Sequence, residues 1–179
     1  WIFGDVASDD AVKGGNAGDQ ADINAINDLS AKSDNGVLNT YWQSAYETVS
    51  RANNAITYIP GITMDAGLKN RLIAEAKFFR AYSYSNLTNI FGKVPLKLLP
   101  QNTTEAIYIG LSEVSAVYTQ IEKDLNEAIP VLPEEYPVEK GRVTKGAAYA
   151  LLAKAQLYQK KYTESLASIK SLEDLHLYD

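Results

Sequence analysis

The chain is predicted to be all-α on three observations. Apolar residues recur at three- and four-residue steps through most of its 179 residues, and capping residues or Pro and Gly breakers stand at the ends of those runs. The third is Ala74 to Leu96, AEAKFFRAYSYSNLTNIFGKVPL, which is helical in pattern yet almost without a solvent face, the mark of a buried spine.

The elements follow in order. Residues 1–40 are read as an acidic, loop-rich segment, with many Gly and Asn and one short helix marked by Ile23, Ile26 and Leu29. A first long helix carries Leu38, Tyr41, Trp42, Ala45, Val49, Ala52, Ile56 and Ile59 and ends at Pro60-Gly61. On that stripe Trp42 is read as core. The spine helix starts at Asp65, runs its stripe through Leu68, Leu72, Ala76, Phe79, Leu87 and Ile90, and stops at Gly92 with Pro95 beyond. Phe78, Tyr82 and Phe91 lie off the stripe, so more than one partner must cover it.

A polar loop, Lys97 to Gly110, follows, with Ile107 to Ile109 as a short extended piece. The next helix has Ser112 as its N-cap, an inward face of Val114, Val117, Ile121, Leu125 and Ala128, and a stop at Pro130 and Pro133. After a second loop, Thr144 caps a helix that turns Ala148, Leu151, Leu152, Ala155 and Tyr158 inward. Gln159-Lys160-Lys161 connects it to a last helix with Tyr162, Leu166, Ile169 and Leu172 inward. Small residues at Ala148 and Ala155 with aromatics at Tyr158 and Tyr162 resemble a tetratricopeptide unit, so the fold class is one of irregular antiparallel helix pairs of tetratricopeptide-like α-solenoid type.

Composition narrows the chemistry. At 46% hydrophobic residues the chain has enough apolar surface for one domain with a real core. Cysteine is absent and His176 is the single histidine, so thiolate sites and multi-histidine metal cages are excluded and a His-dependent triad is disfavoured. The net charge of −5 falls entirely within residues 1–40, where seven aspartates face Lys13 and Lys32. With no basic block elsewhere, nucleic acid and anionic membrane surfaces are not expected partners. No apolar run reaches eighteen residues, and the first residue is Trp1, which reads as a mature or trimmed chain.

Two carboxylates would suffice for glycoside hydrolysis, but Glu134-Glu135 and Asp9-Asp10 are adjacent pairs whose side chains diverge. Glu75, near Arg71 and Arg80, is read as an internal ion pair, and Asn53 and Asn54 as buried helix-to-loop hydrogen-bonding residues. No cofactor is expected. Calcium is the one metal whose ligand chemistry is present, at Asp5, Asp9, Asp10, Asp19 and Asp22, although no twelve-residue calcium loop occurs and solvated or capping carboxylates account for the acids.

Four ordered segments, Tyr41 to Ile56 (YWQSAYETVSRANNAI), Ala74 to Leu96, Val117 to Pro133 (VYTQIEKDLNEAIPVLP) and Gly141 to Tyr162 (GRVTKGAAYALLAKAQLYQKKY), together with SDDAVKGG at Ser8 to Gly15, resemble the SusD/RagB family of surface glycan-binding lipoproteins. The resemblance implies a single N-terminal helical domain over 1–179, from a longer protein whose lipidated cysteine and second half lie outside this chain. It implies non-catalytic glycan binding at the outer membrane and a SusC-type TonB-dependent transporter as partner. Sugar rings need an aromatic platform and planar polar partners. Trp1, Phe3, Asp9, Asp10, Asn16 and Asn35 are therefore the candidate glycan-binding residues. A tetratricopeptide-type protein-binding adaptor is the alternative.

Overall fold

The computed structural model describes residues 2–8, 10–16, 18–100 and 109–177. Trp1, Asp9, Ile107 and Tyr108 lie outside that set. The chain is all-α, with six α-helices and one two-stranded ladder among the described residues. It divides into two compact units, residues 1–45 and 46–179.

The first unit opens with a π-helical turn, Ile2–Val6, followed by α1, Ala21–Asn27, and the start of α2, Gly36–Tyr58. Its described apolar centre includes Val6, Ile23 and Ile26, all buried. The sequence pattern carried α1 to Leu29, but Leu29 has a φ of 54° and is 82% exposed. The Leu29 amide instead closes a turn onto the Ile26 carbonyl at 3.1 Å.

The second unit holds the rest of α2, then α3, Ala66–Phe91, β1, Val94–Pro95, β2, Leu111–Ser112, α4, Val114–Ala128, α5, Lys145–Tyr158, and α6, Tyr162–Glu173. Several predicted ends are met by local chemistry. Asp65 caps α3 by accepting from the Leu68 amide at 2.8 Å, and Thr144 Oγ1 caps α5 by accepting from Ala147 at 3.2 Å. Gly92 ends α3 with a φ of 72°, a left-handed value that costs glycine least, and donates its amide to Thr88 at 2.9 Å. Ser112 is not the cap of α4. It pairs with Val94 in the antiparallel ladder, and Glu113 takes the N-cap position without a side-chain capping bond.

A buried polar network ties α2, α3 and α4. The Arg80 guanidinium donates through Nε and Nη2 to the two Asp124 oxygens at 2.8 and 2.7 Å, and through Nη1 to Asn53 Oδ1 at 2.8 Å. Asn53, fully buried, then donates to the Lys97 and Leu99 carbonyls at 3.0 and 3.2 Å. The Tyr84 hydroxyl accepts from the Lys97 amide at 2.6 Å and donates to its carbonyl at 2.8 Å, while the Tyr46 hydroxyl donates to the Pro95 carbonyl at 2.7 Å. Burial pushes both phenols well above their ordinary pKa. These bonds give the irregular strand-and-loop segment after α3 the backbone partners that helix or sheet would otherwise supply.

This network also decides which face of α3 is inside. Ala74, Ala81, Tyr84 and Leu87 are buried together with Arg80, and Phe79 and Tyr82 are 45% and 51% exposed. The predicted stripe through Phe79 is corrected accordingly. On α6 the serines turn inward: Ser165 Oγ donates to the Ala153 carbonyl and Ser168 Oγ to Gln156 Oε1, both at 2.8 Å. Small hydroxyls let α6 lie close on α5. Tyr162, Leu166 and Ile169, expected inside, are 63%, 53% and 41% exposed, as is Tyr158 of α5 at 51%.

Glu75 forms the expected ion pair, with a partly different set of partners. It pairs with Arg71 at 3.7 Å and Arg142 at 2.9 Å and accepts from the Tyr136 hydroxyl at 3.0 Å, whereas Arg80 belongs to Asp124. Asn54, unlike Asn53, is exposed, because one residue along a helix turns the side chain by about 100°.

Candidate functional site

The candidate site lies within the first unit. Asn35 caps α2: its Oδ1 accepts from the Val37 and Leu38 amides at 3.0 and 3.1 Å, and its Nδ2 donates to the Asp22 carbonyl at 2.9 Å. The Asp22 carboxylate, in the first turn of α1, accepts from the Gly36 amide at 2.9 Å. A Cβ at position 36 would stand 2.8 Å from that carboxylate oxygen, so glycine is what lets the two helix starts approach.

Beside this junction is an open hollow of about 550 Å³, lined by Ile2, Phe3, Asp22, Gly36, Val37, Thr40, Tyr41 and Ser44. The Phe3 and Tyr41 rings meet edge to face, with centroids 5.0 Å apart at 69°. Thr40, in the lining, donates through Oγ1 to the Gly36 carbonyl at 2.8 Å, which leaves that oxygen able to accept. A second hollow of about 360 Å³ shares Asp22 and Val37 and adds Gln20, Ala21 and Ile23. The site thus offers an aromatic and aliphatic wall beside hydroxyl and carboxylate oxygens.

The structure sorts the candidate residues. Phe3 lines the larger hollow. Asp10 and Asn16 are exposed outside both linings and act through their backbones: the Asp10 amide donates to Ser8 Oγ at 3.2 Å, and the Asn16 amide donates to Asp19 Oδ2 at 3.1 Å. Asn35 is corrected from ligand contact to structural cap, since it is 3% exposed and both ends of its amide are engaged. Trp1 and Asp9 lie outside the described residues. Sequence reasoning missed Tyr41, Thr40 and Ser44 because they sit on a helical stripe that looks like core and its flank. An Asn-Gly pair opening a long helix was the signal available. Asp22 was weighed only as a calcium ligand, and no group of three or more potential metal-ligating side chains occurs among the described residues.

In the second unit, Glu75 and Glu139 are both spent on arginines, with Arg142 bridging them at 2.9 and 2.7 Å. Burial, then the hydrogen bond to Glu75, pushes the Tyr136 phenol up to about 12. A groove of about 370 Å³ between α2 and α3 is floored by Ala52, Ala55 and Ala76 and walled by Ile59, Leu72 and Phe79, with fewer hydroxyls than the first hollow. His176 is exposed.

Comparison with known proteins gives the family. Residues 3–157 match the SusD-like family described as starch-binding and associating with the outer membrane. The chain belongs to that family, a carbohydrate-binding one. It is 30% identical over 133 residues to SusD-like protein P2 of Formosa agariphila, covering 74% of this chain and 26% of that protein. A SusD-like protein of Bacteroides ovatus is 32% identical over 123 residues, 67% of this chain and 22% of its own length. The chain therefore spans about a quarter of these relatives. Among solved structures, a laminarin-binding SusD-like protein superposes with a TM-score of 0.90 at 37% identity, over 96% of this chain and 37% of its own. Surface glycan-binding protein A from Bacteroides fluxus gives a TM-score of 0.87 at 26% identity, over 99% and 39%. Among the described residues no helix is long and apolar enough to cross a membrane.

Proposed function

We propose that this chain is the N-terminal helical domain of a non-catalytic glycan-binding protein, held at the outer membrane by a lipid anchor outside residues 1–179. It captures a glycan for uptake through a SusC-type TonB-dependent transporter. The first unit contributes to the glycan site through the hollow beside Phe3 and Tyr41, with Asp22, Thr40 and Ser44 as polar partners. The carrying observation is that hollow's composition, an aromatic wall facing hydroxyl and carboxylate oxygens, which matches the apolar face and hydroxyl rim of a pyranose. The laminarin-binding and surface glycan-binding neighbours support the same reading. Transporter and anchor rest on the family resemblance.

The test is affinity electrophoresis of this chain and of the full-length protein against plant, host and microbial polysaccharides, with Phe3→Ala beside each. Retardation of both forms by one glycan, reduced at least fivefold by Phe3→Ala, is the expected result. Retardation of the full-length protein alone, unchanged by Phe3→Ala, would make residues 1–179 scaffold. Retardation of neither would favour the adaptor alternative.

A further inference from the structure

Resting on that glycan reading, we infer that the site selects neutral glycans over uronate- or sulfate-bearing ones, and that Asp22 enforces the selection.

An anionic sugar needs a cation or a set of unfilled amide donors. The natural place for it would be the N-terminus of α2, where a long helix presents N–H groups and the positive end of its dipole. That position is already filled from within. The Gly36 amide is taken by the Asp22 carboxylate, the Val37 and Leu38 amides by Asn35 Oδ1, and the Asn39 amide by the Asn35 carbonyl at 3.0 Å. The protein's own carboxylate occupies the anion site of the helix, and an incoming anion would have to displace it or sit against it.

No described cationic side chain pairs with that carboxylate. Among the described lining residues of both hollows, Asp22 is the sole ionisable group apart from the Tyr41 phenol, and it is exposed. No described Lys or Arg lies within ion-pair range of it. Of the two lysines in residues 1–45, Lys13 is turned onto the Asn16 and Asp19 carbonyls, and Lys32 lines neither hollow. The unit carries seven aspartates against those two lysines, so its surrounding field is negative as well. A neutral sugar meets the opposite situation: its hydroxyls can donate to the Asp22 carboxylate, a charge-assisted bond stronger than one to a neutral acceptor.

The test uses the full-length protein and probes that differ in charge at matched positions: hydroxyethylcellulose against carboxymethylcellulose, and methyl-esterified pectin against the same pectin de-esterified. Binding of the neutral member should exceed that of the anionic one by about fivefold or more in 50 mM salt, the scale of one like-charge contact at a wet surface, and the gap should narrow in 0.5 M salt. Asp22→Asn keeps an acceptor for Gly36 and removes the charge. It should raise binding of the anionic member about fivefold and weaken the neutral one as its charge-assisted acceptor is lost, so that the neutral-to-anionic ratio falls at least fivefold. Asp28→Asn, an exposed acid of the same unit outside both linings, should change neither. Equal or tighter binding of the anionic members by the unaltered protein, or an unchanged ratio in Asp22→Asn, would overturn the inference while leaving glycan binding intact. Failure to bind any probe here or any polysaccharide in the wider panel would instead overturn the glycan reading, and the selection with it.

Discussion

Residues 1–45 and residues 46–179 handle polar groups in opposite ways. In the first unit the described hydrogen bonds are short in range and mostly at the surface, with Asn35 and Asp22 reaching at most fourteen residues along the chain. In the second, besides the two α5–α6 serine bonds over 12 positions, buried bonds join residues 27 to 61 positions apart, as between Arg80 and Asn53 or Tyr136 and Glu75. Long-range buried bonds can form only when the whole helical array is in place, so they tie local order to global folding. Short-range exposed bonds leave a surface whose shape depends on a few side chains. The contrast gives the second unit the globally coupled bonds, and under the proposed glycan reading recognition falls to the first.

The comparison can be broken most directly at Asp124. Replacing it with Ala leaves Arg80 buried without its carboxylate and should cost about 3–5 kcal/mol in denaturant unfolding. A loss below about 1 kcal/mol would show that the network does not hold the second unit together. Tyr84→Phe removes the hydroxyl that serves both backbone groups of Lys97 and should cost about 1–3 kcal/mol by the same measurement. In the first unit Asn35→Ala should cost about 1 kcal/mol and show as faster amide exchange at Val37 and Leu38. Equal acceleration across α4 and α5 would contradict the proposed local character of that unit.

The smallest expected effect concerns alkaline pH. Tyr136 is held neutral in the folded state, its pKa raised from 10.0 to about 12 by burial and by Glu75. Its contribution is present below pH 10 and is lost as pH rises from about 10 to about 12. Denaturation midpoints measured across that window should fall, and fall less steeply in Tyr136→Phe. An unchanged slope in that variant would assign the loss to Tyr46 or Tyr84.

Much of the fold was legible because its signals are local. Asp65, Thr144 and Gly92 act on amides or carbonyls within four residues, so residue type alone locates them. The positions of α2 to α6 follow from apolar spacing in the same way, and the ordered motifs were enough to indicate the family. Of the residues lining the candidate hollow, residue type singles out Phe3. Residue type does not single out Asp22 and Tyr41, because Asp22 reaches the start of α2 across a loop and Tyr41 lies on an apolar helical stripe.

What the linear pattern left open is which face of each helix turns inward. Phe79 and Leu166 occupy apolar stripes that read as core, and both are exposed, while Arg80, Asp124, Ser165 and Ser168 are buried. Periodicity ranks faces by hydrophobicity, and hydrophobic burial is non-directional. The choice between faces was made by directional bonds and close approach: a guanidinium needs its carboxylate, and two helices draw near where side chains are small. Those conditions involve residues 44 positions apart, from Arg80 to Asp124, and exist only once the chain has folded.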